Sequence, residues 1–385
     1  MIKSIEEIND KIKRNKAVIL TASEFKSLAE SNSPEALAEK VDVVTTATFG
    51  PMCSSGVFLN IGHSEPPMRY EKLTLNNVNA YGGIAAADAY LGVTEESSDN
   101  PEYGGAHVIE DLLSGKKINV KASSKGTHCY PRKEIDTDFT LDSINEAIMF
   151  NPRNAYQNYA AATNSSNELL FTYMGTLLPK NGNITFSTSG ELSPLLNDPG
   201  LKAIGIGTKI FLGGAEGFIA YNGTQHFTDK PKNDSNIPLG PSATLALIGN
   251  LKEMSPEFIK AAYYEKYGTS LFVGIGIPIP VTSPEIAQRL SVRNKDIETT
   301  LLDYGQAGRP DVGIFNYEEL FAGKVKLNGK VINAAPLSSI KKAIEICEIL
   351  KNRIRDGKFE ITNAVSKLPQ NNVSHKLKVH ENQSI

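Results

Sequence analysis

Tryptophan is absent, cysteine occurs only three times in 385 residues, and charge nearly cancels, with 43 Asp and Glu against 40 Lys and Arg. The missing tryptophan excludes nothing. So few cysteines, odd in number, exclude a disulfide framework, fit a reducing compartment and leave the thiols expected to be free. A formal charge of −3 excludes the broad positive field that draws proteins onto nucleic acid. No stretch approaches the ~18 apolar residues of a membrane span, and the charged, amphipathic start MIKSIEEINDKIKRN lacks the apolar segment of a secretory signal. A cytoplasmic protein is expected, and triplets such as Asn183-Ile184-Thr185 are then chance matches to a glycosylation motif.

What is present reads as a folded body. Ser4 stands ahead of Ile5, Ile8 and Ile12 at helical spacing, Thr21 or Ser23 could cap a second helix, and Ser33-Pro34 opens a further short helix that feeds the β-branched strand 41–49. Cys53 follows that strand. SGVFLNIG is a further strand, and Pro66-Pro67 breaks the chain after it. Residues 82–92, small and apolar, are expected as a closely packed helix, and 107–115 as another. Strand KINVKAS runs into Gly126 and Cys129. Glycine-punctuated β segments follow between residues 181 and 281, interrupted by 240–268, which is expected to be mostly helical. SPEIAQRL and PLSSIKKAIEICEILKNRIRDGKF are helices, the second with Ile340, Ile344, Cys347, Leu350 and Ile354 as its apolar stripe. The fold class expected is α/β: mixed α and β, a partly parallel sheet with flanking helices. One large domain, 1–365, is expected, followed by a polar flexible tail, 366–385.

Each cysteine has a different setting. Cys347, inside a helical apolar stripe, is expected to be core. Cys129 is flanked by Lys125, His128, Arg132 and Lys133, and nearby cations favour the nucleophilic thiolate. Cys53 lacks charged neighbours, but Ser54, Ser55 and Gly56 leave its sulfur accessible and can present backbone N–H donors. Two inert loop cysteines are the plainer alternative. Neither Cys53 nor Cys129 has a partner at metal-ligand spacing, and His63, His107 and His128 could complete a site only if folded together, so no metal is expected. The glycine pairs complete neither a dinucleotide fingerprint nor a P-loop. Arg69 and Arg153 are ordinarily surface groups that only proximity to a cysteine would promote.

Taken together, VDVVTTATFGPMCSSGVFLNIGHSEPP, YGGAHVIEDLLSGK, KGTHCYPRKE, GTKIFLGGAEGFIAYNGTQH, PSATLALIGNLKEM and APLSSIKKAIEICEIL resemble the homocysteine-biosynthesis sulfur-incorporation family across residues 5–365. The resemblance implies an L-aspartate semialdehyde sulfurtransferase activity that belongs to methionine biosynthesis in anaerobic metabolism. It implies that Cys53 and Cys129 are the working thiols, with sulfide-derived sulfur carried as a cysteine persulfide to the aldehyde carbon. The favoured assignment makes Cys129 the sulfur carrier and Cys53 the partner that accepts or resolves the sulfur, and the reverse order is open. His128 or a nearby lysine would protonate the carbonyl oxygen. Arg69, Arg132, Lys133 or Arg153 would hold the substrate carboxylate, with Ser54 and Ser55 lining the site.

Turning a thioaldehyde into CH2–SH takes two electrons and two protons. No bound cofactor is expected, so the electrons come from outside, through a ferredoxin-like partner associated with relatives. Relatives often carry a pair of CBS modules, and the chain is expected to be a short form without them. A homo-oligomer is compatible with the sequence. The competing readings are a thiol-dependent aldehyde or acyl transferase without sulfur delivery, and a non-catalytic metal-binding or sulfur-carrier protein.

Overall fold

Local rules set the ends of several elements. Ser4 and Glu7 cap each other's amides at the start of helix Ile5–Lys13, and Thr21 and Glu24 repeat the device for Ala22–Ala29. Pro34 sits at the first turn of Pro34–Lys40, behind the Ser33 cap, where its missing N–H costs nothing. The computed structural model describes residues 3–378.

The buried strand Val43–Pro51 delivers the chain to Cys53. It runs parallel to Ile19–Thr21 and pairs along its whole length, antiparallel, with Gly268–Pro280 in a ten-stranded sheet. The next strand in the chain, Gly56–Asn60, stands six places further along that sheet, between Glu146–Asn154 and Asp88–Gly92. Six spacings in a flat sheet come to about 29 Å, whereas the five chain steps from Pro51 to Gly56 reach at most about 18 Å. The sheet therefore curls back on itself, and the turn holding Cys53 bridges the curl.

Helix Ile340–Arg355 packs on this sheet through Ala343, Ile346, Cys347, Leu350 and Ile354. Gly276 permits the close approach, since a methyl there would stand 3.0 Å from Ile346 Cγ2. Cys347 is core, as expected, and burial pushes its thiol up to about 12. Ile344, expected in the stripe, is instead 47% exposed; Ala343 and Ile346 take the inward face.

A six-stranded sheet forms a second, smaller core around Phe186, Leu301 and Tyr317. Among the described residues, parallel pairs join Ile19–Thr21 to Val43–Pro51, Ala161–Thr163 to Glu298–Asp303, and Asn183–Phe186 to Lys330–Pro336. Most other pairs are antiparallel, so the fold is α/β with partly parallel sheets. Residues 155–160 link the large sheet to the small one, and the candidate site lies at that junction.

Three expectations change. Residues 82–92 are not a helix: Gly82 and Gly83 precede strand Asp88–Gly92, whose alternate residues Ala89 and Leu91 are buried. Residues 240–268 hold strands Leu245–Asn250 and Ile259–Tyr264 with a single 3-10 turn between them. Pairing with Ala215–Asn222 and Gly268–Pro280 overrides the helical propensity of their Ala, Leu and Lys residues. The expected tail makes fixed contacts as far as Asn372, whose amide donates to Thr228 Oγ1 at 3.0 Å. Ser366–Lys367 pairs with Gly205–Ile206, Leu368 is buried, and His226 Nε2 lies 3.1 Å from the Pro369 carbonyl. Residues 379–385 of that tail lie outside the described residues.

Gly105 makes the tightest approach in the large sheet's surroundings: a Cβ there would stand 1.9 Å from the Gly92 carbonyl oxygen. Gly105→Ala is expected to cost about 3 kcal/mol, because backbone must move to admit it. A thermal melt checks this, and an unchanged midpoint would contradict such close packing.

Candidate active site

The Cys53 turn is closed by its own small residues. Ser55 donates to the Met52 carbonyl from its amide at 3.1 Å and from its hydroxyl at 2.8 Å. Asn151 Nδ2 donates to Ser55 Oγ at 2.7 Å, and Ser54 Oγ donates to the Arg153 carbonyl at 2.7 Å. These bonds pin the turn to strand Glu146–Asn154 and leave Cys53 half-buried on the wall of a cavity. Gly50, three residues before Cys53, passes so near Ser338 that a methyl would stand 2.6 Å from its Oγ. Slight residues are needed here because two cores meet at this turn.

The cavity measures about 340 Å³, within the range of small-molecule sites. Its aromatic walls are Tyr156, Tyr159, Tyr173 and Tyr267, and Ser187, Thr188 and Gln225 add neutral polar groups. Arg153 is the single cation on the wall, which among the described residues includes no carboxylate and no histidine. A site with one fixed positive charge and no negative one favours an anionic ligand group.

The phenols form a connected set. Tyr159 Oη donates to Tyr173 Oη at 3.2 Å, and the Tyr173 and Tyr304 hydroxyls are 2.7 Å apart. Tyr156 Oη donates to Gln225 Oε1 at 3.2 Å. Burial pushes Tyr156, Tyr159, Tyr264, Tyr267 and Tyr304 upward from their ordinary range, and for Tyr264 and Tyr267 the Cys53 sulfur adds to the shift. These groups stay protonated at neutral pH and keep an O–H to offer. Cys53 Sγ itself lies 3.2 Å from Ser270 Oγ.

The residues singled out from the sequence separate into two places. Cys53, Ser54 and Arg153 line the cavity, with the buried Ser55 behind them. Cys129 and His128 are exposed on the loop joining Ile118–Ser123 to Glu134–Phe139, and they do not line it. Arg69 and Lys133 are exposed as well. Arg132 is occupied elsewhere, its guanidinium donating to the Glu65 and Pro66 carbonyls, while Tyr130 stacks on His63 at 6.0 Å. The Cys129 loop is thus fastened beyond Asn60, at the far end of strand Gly56–Asn60 from Cys53. That strand alone spans about 13 Å.

Sequence reading missed the tyrosines, Gln225 and Ser270. They come from separate segments, and no local spacing marks them. Among the described residues, no group of three or more His, Cys, Asp or Glu converges to hold a metal ion, and no helix is long and apolar enough to cross a membrane.

A family profile described as homocysteine biosynthesis enzyme, sulfur-incorporation, matches residues 17–361. The L-aspartate semialdehyde sulfurtransferase of Methanosarcina acetivorans is 51% identical over 379 residues, covering 98% of this chain and 74% of that protein. Its namesake in Methanocaldococcus jannaschii is 48% identical over 386 residues, covering 96% and 74%. An uncharacterized protein of Methanothermobacter thermautotrophicus is 29% identical over 332 residues, covering 84% and 72%. No solved structure matches.

Proposed function

This chain belongs to the homocysteine biosynthesis, sulfur-incorporation family, and on that premise we propose a cytoplasmic sulfurtransferase that puts sulfide-derived sulfur on L-aspartate semialdehyde to form L-homocysteine, with Cys53 carrying the sulfur. One observation carries the residue assignment: Cys53 lines the cavity, in one chamber with Arg153 and the tyrosines, and Cys129 does not. Its position supports the reverse of the order that local charge favoured.

The chamber suits the substrate. Arg153 can take the α-carboxylate through charge-assisted hydrogen bonds. The α-ammonium, for which the wall has no carboxylate, can rest against tyrosine faces. Those two contacts leave the aldehyde for Cys53, with neutral phenols as proton donors to its oxygen.

Sulfide is two electrons more reduced than the outer sulfur of a persulfide, so forming the persulfide needs an electron acceptor. A Cys53–Cys129 disulfide supplies one: hydrosulfide attacks the Cys53 sulfur, giving a Cys53 persulfide and a Cys129 thiol. The persulfide's outer sulfur then attacks the aldehyde carbon, and the oxygen takes a proton. Cys129 thiolate next attacks the Cys53 sulfur, restoring the disulfide and expelling the thiolate carbon adduct, which loses hydroxide to become a thioaldehyde. Two electrons and two protons from outside complete CH2–SH, with a ferredoxin-like protein as their carrier. The cycle consumes no other oxidant.

Purified protein given sulfide, aspartate semialdehyde and a low-potential reductant is expected to form homocysteine, and to form none when the reductant is left out. Equal yields with and without reductant would overturn the scheme. The cycle also requires the Cys129 loop to leave its seat on residues 61–67, because a disulfide needs Cα atoms within about 7 Å. Mild oxidation is expected to give a peptide cross-linked between Cys53 and Cys129, and its failure to form would remove Cys129 from the cycle.

A further inference from the structure

One hairpin supplies Cys53 with neighbours of a single chemical kind. Strands Ile259–Tyr264 and Gly268–Pro280 meet in a turn closed by the Tyr267 amide donating to the Tyr264 carbonyl at 3.0 Å, with Lys266 in the left-handed region at φ 53°. Tyr267 on that turn lines the cavity with Cys53, Ser270 just beyond it meets the sulfur, and Tyr264 at its start is close enough for the sulfur to add to the upward push on its phenol. Ser270 is fully buried, and Cys53 Sγ at 3.2 Å is its hydroxyl's one hydrogen-bond neighbour among the described residues. Tyr267 lines the same cavity as Cys53, and the sulfur adds to the upward push that burial gives its phenol. Tyr264 Oη is buried without a hydrogen-bond partner among the described residues, a condition that costs free energy unless a ligand relieves it.

We infer that Ser270, Tyr267 and Tyr264 form a hydroxyl cradle for anionic sulfur, the first two holding Cys53 Sγ and Tyr264 holding a second sulfur bound to it. The part played by Tyr264 rests on the sulfur-transfer reading, while the part played by Ser270 and Tyr267 does not. Neutral O–H donors suit a sulfur that must be passed on, since they stabilise an anion while it is held yet release it more readily than a paired cation would. The titratable and charged groups around the sulfur are Tyr264 and Tyr267 on the hairpin, Arg153 on strand Glu146–Asn154, and Tyr156, Tyr159 and Tyr173 on the cavity wall. No carboxylate stands among them.

The test follows Cys53 alone, in a Cys129→Ser background, by peptide mass spectrometry after iodoacetamide treatment across a pH series. Tyr267→Phe and Ser270→Ala are each expected to move the midpoint of Cys53 alkylation up by about one pH unit, slowing alkylation at neutral pH about tenfold. Ser270→Thr, which keeps a hydroxyl, is expected to restore the parent midpoint and guards against a mere packing defect. Unmoved midpoints in folded Tyr267→Phe and Ser270→Ala proteins would overturn the cradle.

Tyr264→Phe removes an orphan hydroxyl, so its melting temperature is expected to equal or exceed the parent's. A persulfide is loaded from an inorganic polysulfide, whose terminal sulfur passes to the Cys53 thiolate as the shortened polysulfide leaves. That persulfide is expected to decay about fivefold faster in Tyr264→Phe, by a difference of about 1 kcal/mol. An equal lifetime would overturn the role of Tyr264. A parent protein that forms no persulfide at all would overturn both that role and the sulfur-transfer reading, and the alkylation series would still decide the role of Ser270 and Tyr267.

Discussion

Cys53→Ser is expected to reduce homocysteine formation by about a thousandfold or more while the protein stays folded. Serine fits the turn, because the bonds that close it are made by Ser54, Ser55 and Asn151 and leave the residue 53 side chain uninvolved. What is lost is the atom that carries the transferred sulfur, and a hydroxyl cannot form a persulfide. Cys129→Ser is expected to differ in kind. In the cycle Cys129 releases the adduct by attacking the Cys53 sulfur, and a small thiol in solution can do the same. 2-Mercaptoethanol supplied together with its disulfide, which caps Cys53 as a mixed disulfide for hydrosulfide to attack and then expels the adduct, is therefore expected to restore part of the activity of Cys129→Ser and none of that of Cys53→Ser. Equal rescue of both, or full activity in Cys53→Ser, would contradict the assignment.

Arg153→Ala is expected to raise KM for aspartate semialdehyde roughly 30- to 150-fold, corresponding to the loss of about 2–3 kcal/mol of charge-assisted hydrogen bonding. Arg153 is the only cation on the cavity wall among the described residues, so no neighbour can replace it. The substitution leaves the turn intact, because Ser54 binds the backbone carbonyl of residue 153 and not its guanidinium. Arg153→Lys keeps the charge but loses the planar fork and is expected to fall between parent and alanine. Steady-state kinetics with varied semialdehyde check this, and an unchanged KM in Arg153→Ala would place the carboxylate elsewhere.

The parts of this site that can be read from sequence are those fixed locally. A β-branched run followed by Gly50-Pro51 marks a strand end, so the position of Cys53 after it was legible, as was the helical burial of Cys347. Local charge around Cys129 was legible too, but it carries no information on which wall of the molecule the loop faces. Tertiary contacts decide that: Arg132 and Tyr130 fasten the loop to residues 63–66. The tyrosine walls were not legible, because Tyr156, Tyr173 and Tyr267 come together only where the two cores meet. The misread segment 240–268 belongs to the same lesson. Its Ala, Leu and Lys residues suit a helix in isolation, yet pairing with Gly268–Pro280 holds part of it as the strand that leads to Tyr264 and on to Tyr267. Reading that stretch as helix removed the cradle from view.

The most direct check is to oxidise the protein mildly, add sulfide, and weigh the cysteine peptides. A gain of about 32 Da, one sulfur atom, is expected on the peptide containing Cys53, with Cys129 returned to a free thiol. A gain confined to the Cys129 peptide, with Cys53 unmodified, would contradict the proposal that the cavity cysteine carries the sulfur.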